Sequence, residues 1–152
     1  MGKKDQTSAA GLHTLGEEFL EACKALDSRP TSQRRSGLLS KHARVQYYLV
    51  SHSLELFLKA ALLIQGYSVK KVRAKGHNLE AIFKAVNLTF SNEEEEAVMM
   101  IAPYYHNKEL EYPNVLGGKR WPHPSYLILL CERLKSELLQ PAIDHYNKTN
   151  TL

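Results

Sequence analysis

From Leu38 to Gln65 the chain contains neither proline nor glycine, and Gly66, the residue type that most often closes a helix, follows at once. On a wheel of about 100° per residue, Val45, Leu49, Leu56, Ala60 and Leu63 fall on one arc, and Val50, Leu54, Phe57, Leu58, Ala61 and Ile64 fill most of the rest. A helix apolar around most of its circumference must be covered on more than one side. The remaining strip, roughly 100° wide, holds Lys41, Arg44, Tyr48, Ser51, His52, Glu55 and Lys59. This one segment therefore dictates a central helix with partners around it and a single face that can carry polar chemistry.

The partners are legible from the same periodicity. Leu12, Leu15, Phe19, Ala22, Cys23 and Leu26 recur at three- and four-residue spacing and predict a first helix over Leu12 to Leu26, ended by Asp27-Ser28-Arg29-Pro30. The basic segment Gln33 to Gly37 leads into the central helix, and Tyr67 to Gly76, rich in lysine and arginine, reads as a loop after it. Leu79, Ile82, Phe83 and Val86 predict a short third helix over Asn78 to Val86. A fourth begins near Ser91-Asn92, where a capping side chain precedes Glu93 to Glu96. Carboxylates there favour the positive end of the helix dipole, so the acidic run reads as helix-start electrostatics and not as a metal site. Pro103 should kink or end this helix, and Tyr104 to Pro124, with Pro113, Gly117, Gly118 and Pro122, reads as irregular. Leu127, Leu130, Cys131, Leu134, Leu138 and Ala142 predict a last helix over Ser125 to Tyr146, with Pro141 kinking it or ending it early. No segment alternates with period two, so the expected fold is an all-α bundle of one domain, residues 1–152, with flexible ends at 1–11 and 147–152. Leu49, Leu56, Phe57 and Leu63 are its expected core.

Apolar residues make up 43% and charged residues 24% of the chain, which is ordinary for a globular domain and excludes disordered and collagen-like classes. No uninterrupted run reaches the ~18 apolar residues that span a bilayer, and the charged N-terminus lacks the apolar stretch of a secretory signal. Together with two distant cysteines, Cys23 and Cys131, in no metal-ligand spacing, this gives a cytoplasmic expectation with no membrane contact, no metal and no cofactor. The net charge of +4 is a mild excess compatible with a polyanionic partner. The phosphate-binding, zincin and serine-hydrolase motifs are missing from the sequence.

Three features can carry chemistry. Glu55 and Lys59, spaced i to i+4 in the favourable order, form either a helix-surface ion pair or part of a groove. His52 borders the apolar arc and suits either packing or proton transfer. Tyr104, Tyr105 and His106, with Lys119, Arg120, Trp121 and His123, bring aromatic planes and positive charge together, as base stacking needs and as loop anchoring also uses.

The residues His52-Ser53-Leu54-Glu55-Leu56-Phe57-Leu58-Lys59-Ala60, then Gly66, then Gly76-His77-Asn78-Leu79, resemble the HEPN superfamily. In that family a polar pair, Glu, an apolar run and Lys-Ala mark the central helix, a glycine closes it and His-x-Leu opens the next. Leu110-Glu111-Tyr112-Pro113-Asn114 looks like the family's Arg-Tyr-Pro-Asp segment, with Glu111 where arginine is common. The resemblance spans Val45 to Asn114 and implies a four- to five-helix up-and-down bundle with a long central helix, often a homodimer. Many members are metal-independent endoribonucleases with an Arg-x(4–6)-His motif, in which the histidine moves a proton and the arginine steadies phosphate charge. Here Arg120 precedes His123 by only three positions and His106 has no arginine upstream at that distance.

The leading expectation is thus a HEPN-like module that binds RNA, a nucleotide or a cognate protein such as a nucleotidyltransferase-type antitoxin in a toxin–antitoxin or defence system. The alternatives are an endoribonuclease using His106, Arg120 and His123, and a structural helical dimerisation protein. The expected binding residues are Arg44, Tyr48, His52, Glu55, Lys59, His77, Tyr112, Lys119 and Arg120. The segment after the fourth helix would close over one end of the strip and gather Arg44 and Lys59 with Lys119 and Arg120 into a groove.

Overall fold

The computed structural model describes residues 7–27, 43–110 and 121–151. Among them every regular element is an α-helix: α1 (Ala9–Asp27), α2 (Ala43–Ile64), α3 (Val69–Ala74), α4 (Leu79–Ala85), α5 (Asn92–His106) and α6 (Pro124–Asn150). The all-α bundle is therefore realised by four long helices, with two short ones in the connection from α2 to α5. As its apolar circumference requires, α2 touches each of the other five.

Cross-helix contacts give the directions. Cys23 faces the Gln46 carbonyl and Ser53 donates to the Gly16 carbonyl at 2.7 Å, so α1 runs antiparallel to α2. Cys131 lies against the Val50 carbonyl, and Tyr47 donates to the Pro122 carbonyl at 2.6 Å, placing α6 parallel to α2. The core contains Leu20, Val50, Leu54, Phe57, Leu58, Leu62, Leu79, Ile82, Ile101, Leu127, Leu130 and Leu134. Of the expected core residues, Phe57 and Leu63 are in it, Leu49 packs on its edge, and Leu56 is buried outside the main cluster. By length and composition α2 alone among the described helices could cross a membrane, but 72% of that apolar window is buried inside the bundle, as in any core helix.

Gly16 lets α1 approach α2 closely, since a Cβ there would stand 3.2 Å from two atoms of the Phe57 ring. Both neighbours are fixed, the ring by the core and the Gly16 carbonyl by Ser53. Gly16→Val should therefore destabilise the fold by about 1–3 kcal/mol through overpacking, read as a lower urea midpoint at unchanged slope.

Local chemistry sets most boundaries. At the end of α2, Gly66 (φ +92°) adopts the left-handed conformation, and the amides of Gly66 and Tyr67 bond back to the carbonyls of Leu63 and Leu62. Asn78 caps α4 by accepting from the Ala81 amide. Ser91 and Glu94 form a reciprocal capping box at the start of α5, so the acidic run works as helix-start electrostatics. Arg133 of α6 grips both oxygens of Glu94, at 2.9 and 2.8 Å, and pins α5 to α6.

Four boundaries differ from the sequence expectation. The first helix begins earlier, because Ser8 accepts from the Gly11 amide and serves as its cap. The segment Tyr67 to Gly76 contains α3, nucleated by Ser68 accepting from Lys71 and anchored by buried Val72. Pro103 lies inside α5, which continues to His106. A proline forfeits only one helical hydrogen bond, and buried Tyr105 and Leu110 hold the turns that follow. Pro141 likewise sits within α6, which extends to Asn150 and is the longest described helix. The expected start of the central helix at Leu38 lies outside the described residues.

Candidate functional site

The middle of the polar strip of α2 does not face solvent. Ser51 is fully buried and Glu55 is 1% exposed, in a bundle where an uncompensated carboxylate would cost several kcal/mol. Glu55 is compensated from three elements. Lys59, one turn on, donates to Oε1 at 2.6 Å, His77 Nδ1 reaches Oε2 at 3.0 Å, and the Tyr105 hydroxyl donates to Oε2 as well. Burial pushes the Glu55 carboxyl up, but the hydrogen bonds from Lys59, Tyr105 and His77 and the Lys59 charge outweigh it and hold the group below the usual carboxylate value. Glu55 is therefore an anion that organises its surroundings.

His52, one turn before Glu55, completes the cluster. Its Nδ1 is 2.7 Å from the Tyr105 hydroxyl and 3.8 Å from Glu55 Oε2. Because the single phenolic hydrogen goes to Glu55, the bond between His52 and Tyr105 is donated by His52. The Tyr48 ring stacks parallel to the His52 imidazole, and Phe19 of α1 meets it edge-on with centroids 4.5 Å apart. His77 stands between Gly76, whose φ of +55° turns the chain at the end of α3, and the cap residue Asn78. Its side chain is 60% exposed, so the cluster opens to solvent through this imidazole. One ligand atom from each of His52, Glu55 and His77 lies within 4.8 Å of the others, which makes them the described residues able to hold a metal ion.

The structure thus brings together Tyr48, His52, Glu55, Lys59 and His77, with half-buried Arg44 one helical turn before Tyr48. It adds Tyr105 and Phe19, which sequence reasoning did not place here. No periodic signal links Tyr105 to Glu55 fifty positions away, and only the packing of α5 on α2 could reveal it. Tyr112, Lys119 and Arg120 lie outside the described residues, as does the groove they would form with the strip. Exposed His106 ends α5, and His123 caps α6 by accepting from the Ser125 amide. His123 is thereby engaged in structure.

A hollow of about 660 Å³ lies elsewhere, between the start of α1, the α2–α3 junction and the end of α6. Its polar lining is mainly neutral, from Thr7, Ser8, Ser68, Thr149 and Asn150, with one imidazole, His145. That hollow could admit a small molecule, but the convergent acid–base groups are at Glu55, and chemistry is the better guide to a reactive or charged ligand. Comparison of the chain with protein-family models, curated proteins and solved structures finds no match.

Proposed function

We propose that the chain is a HEPN-like helical module that binds RNA or a nucleotide along the row Arg44, Tyr48, His52 and His77. The observation carrying this reading is that one buried carboxylate engages two imidazoles, His77 directly and His52 through the Tyr105 hydroxyl, with His52 stacked on a tyrosine ring, at an edge of the bundle that His77 opens to solvent. Aromatic planes of this kind accept bases by stacking, and Arg44 adds a charge for phosphate. The Lys59 charge is spent on Glu55, so its role is to hold the carboxylate.

Fluorescence anisotropy with a short labelled single-stranded RNA, in EDTA, tests the reading. Removing one phosphate contact lowers single-strand affinity by about fivefold near 0.1 M salt, and the salt slope falls by about 0.7. Arg44→Glu and Arg120→Glu should each lose at least that much. Lys148→Glu, on an exposed position of the last turn of α6, should change little. Equal losses from all three would mean unspecific attraction to a basic protein. If the unmodified chain binds no RNA or nucleotide, the reading passes to a protein partner such as a nucleotidyltransferase-type antitoxin.

A two-fold homodimer belongs to the same proposal. Its support is the exposed apolar row Leu129, Leu139, Ile143 and Tyr146 on α6. Light scattering checks it, and a monomer at working concentration would remove it. An endoribonuclease is the second reading, favoured by two imidazoles and a phenol around one carboxylate. It requires RNA cleavage in EDTA that His52→Ala abolishes.

A further inference from the structure

We propose that His52, Glu55 and His77 form a binding site for one divalent transition-metal ion of the zinc class, with the Tyr105 hydroxyl beside the fourth position. Ligand bonds of about 2.0–2.1 Å in a tetrahedral site place neighbouring donor atoms roughly 3.4 Å apart. Here His77 Nδ1 stands 3.0 Å and His52 Nδ1 3.8 Å from the same oxygen, Glu55 Oε2, values that bracket this separation. The set closes within 4.8 Å, so the widest edge must contract by up to about 1.4 Å to reach the tetrahedral separation. His77 can supply that movement, because it sits on a turn with most of its side chain in solvent, whereas His52 and Glu55 are fixed on α2.

Two nitrogen donors and one carboxylate oxygen suit zinc, cobalt(II) or iron(II) and not the all-oxygen preference of magnesium or calcium. On ligation each imidazole gives up the Nδ1 hydrogen that it donates in the metal-free chain, to Tyr105 from His52 and to Glu55 from His77, keeps its hydrogen on Nε2 instead, and binds the ion through the freed Nδ1 lone pair. Lys59 occupies Oε1 and leaves Oε2 turned towards the imidazoles, an orienting contact of the kind that supports metal ligands. Tyr105, bonded to both His52 and Glu55, stands where a fourth ligand or an oriented water belongs. With Lys59 and Glu55 cancelling, the loaded site carries two net positive charges and would favour an anion at its open side.

The site shares His52 and His77 with the proposed RNA row but does not rest on that reading, and it is tested without RNA. The full chain, stripped with EDTA and dialysed, is titrated with zinc chloride by calorimetry and with cobalt(II) by visible absorption. One ion per chain and an intense tetrahedral cobalt spectrum are expected. His77→Ala, at an exposed turn where Lys59 and Tyr105 still hold Glu55, should lower zinc affinity at least about tenfold. Glu55→Gln, which keeps the side-chain shape and a hydrogen-bonding oxygen, should do the same, while His106→Ala and His145→Ala should bind as the parent does. No zinc or cobalt binding at micromolar concentration overturns the proposal. So does equal binding by the His77→Ala chain with an unchanged helical circular-dichroism spectrum.

Discussion

Phe57→Ala should lower the unfolding free energy by about 3–5 kcal/mol, the range for emptying an aromatic site in a packed core. The Phe57 ring is wholly buried in α2, lies against the backbone of Gly16 and meets the imidazole of buried His13 edge-on at 5.2 Å. His13 Nε2 is in turn 2.8 Å from the Lys135 carbonyl of α6, so one ring sits where α1, α2 and α6 converge. Two of its neighbours cannot collapse inward, because Gly16 has no side chain and His13 is tied to α6. Chemical denaturation followed by circular dichroism measures the loss. A loss below about 1 kcal/mol would mean that the site relaxes and that the junction of the three helices is loosely packed. The expected cost for Leu56→Ala is about 2–5 kcal/mol, nearer the lower end because Leu56 is buried outside the main cluster.

Glu55→Ala should cost a similar amount, about 3–5 kcal/mol, because it removes one partner of a buried ion pair and leaves the other. The Lys59 ammonium, 13% exposed, would lose its counter-ion, and Tyr105 its hydrogen-bond acceptor. Glu55→Gln keeps the volume and should lose less. The pair also fixes a pH dependence. The folded-state pKa of Glu55 is lowered from 4.5, so its stabilising contribution is fully present above that value and is lost as pH falls through the folded value. Glu94, held down by Arg133 and Ser91 against the upward push of burial, acts in the same direction. The comparison that isolates Glu55 is therefore parent against Glu55→Gln. Urea midpoints taken from neutral pH down through the carboxylate range should fall more steeply for the parent. Parallel curves would mean that Glu55 is not held as a buried anion.

What the sequence determined by itself was whatever depends on neighbours within one or two turns. The apolar circumference of Leu38 to Gln65 demanded a central helix, Gly66 its end, and Ser91 and Asn78 the starts of the helices they cap, because capping and periodicity act over three or four residues. The pairing of Glu55 with Lys59 was legible for the same reason. The HEPN resemblance added His77, a residue with no periodic signal of its own.

Only the tertiary structure decided that Ser51 and Glu55, in the middle of the strip on α2, belong to an interior polar cluster. A helix wheel gives the direction in which Ser51 and Glu55 point, but what covers them is set by α1 and α5, whose approach depends on Gly16, Ser53 and the burial of Tyr105. The same holds for Pro103 and Pro141. A rule about backbone donors leaves a kink or an end open at each proline, and the apolar surface buried by the following turns decides against an end by outweighing one missing hydrogen bond. Local chemistry wrote the helices and their ends. The convergence of His52, Glu55, His77 and Tyr105 came from long-range packing, which joins residues that no spacing in the chain relates.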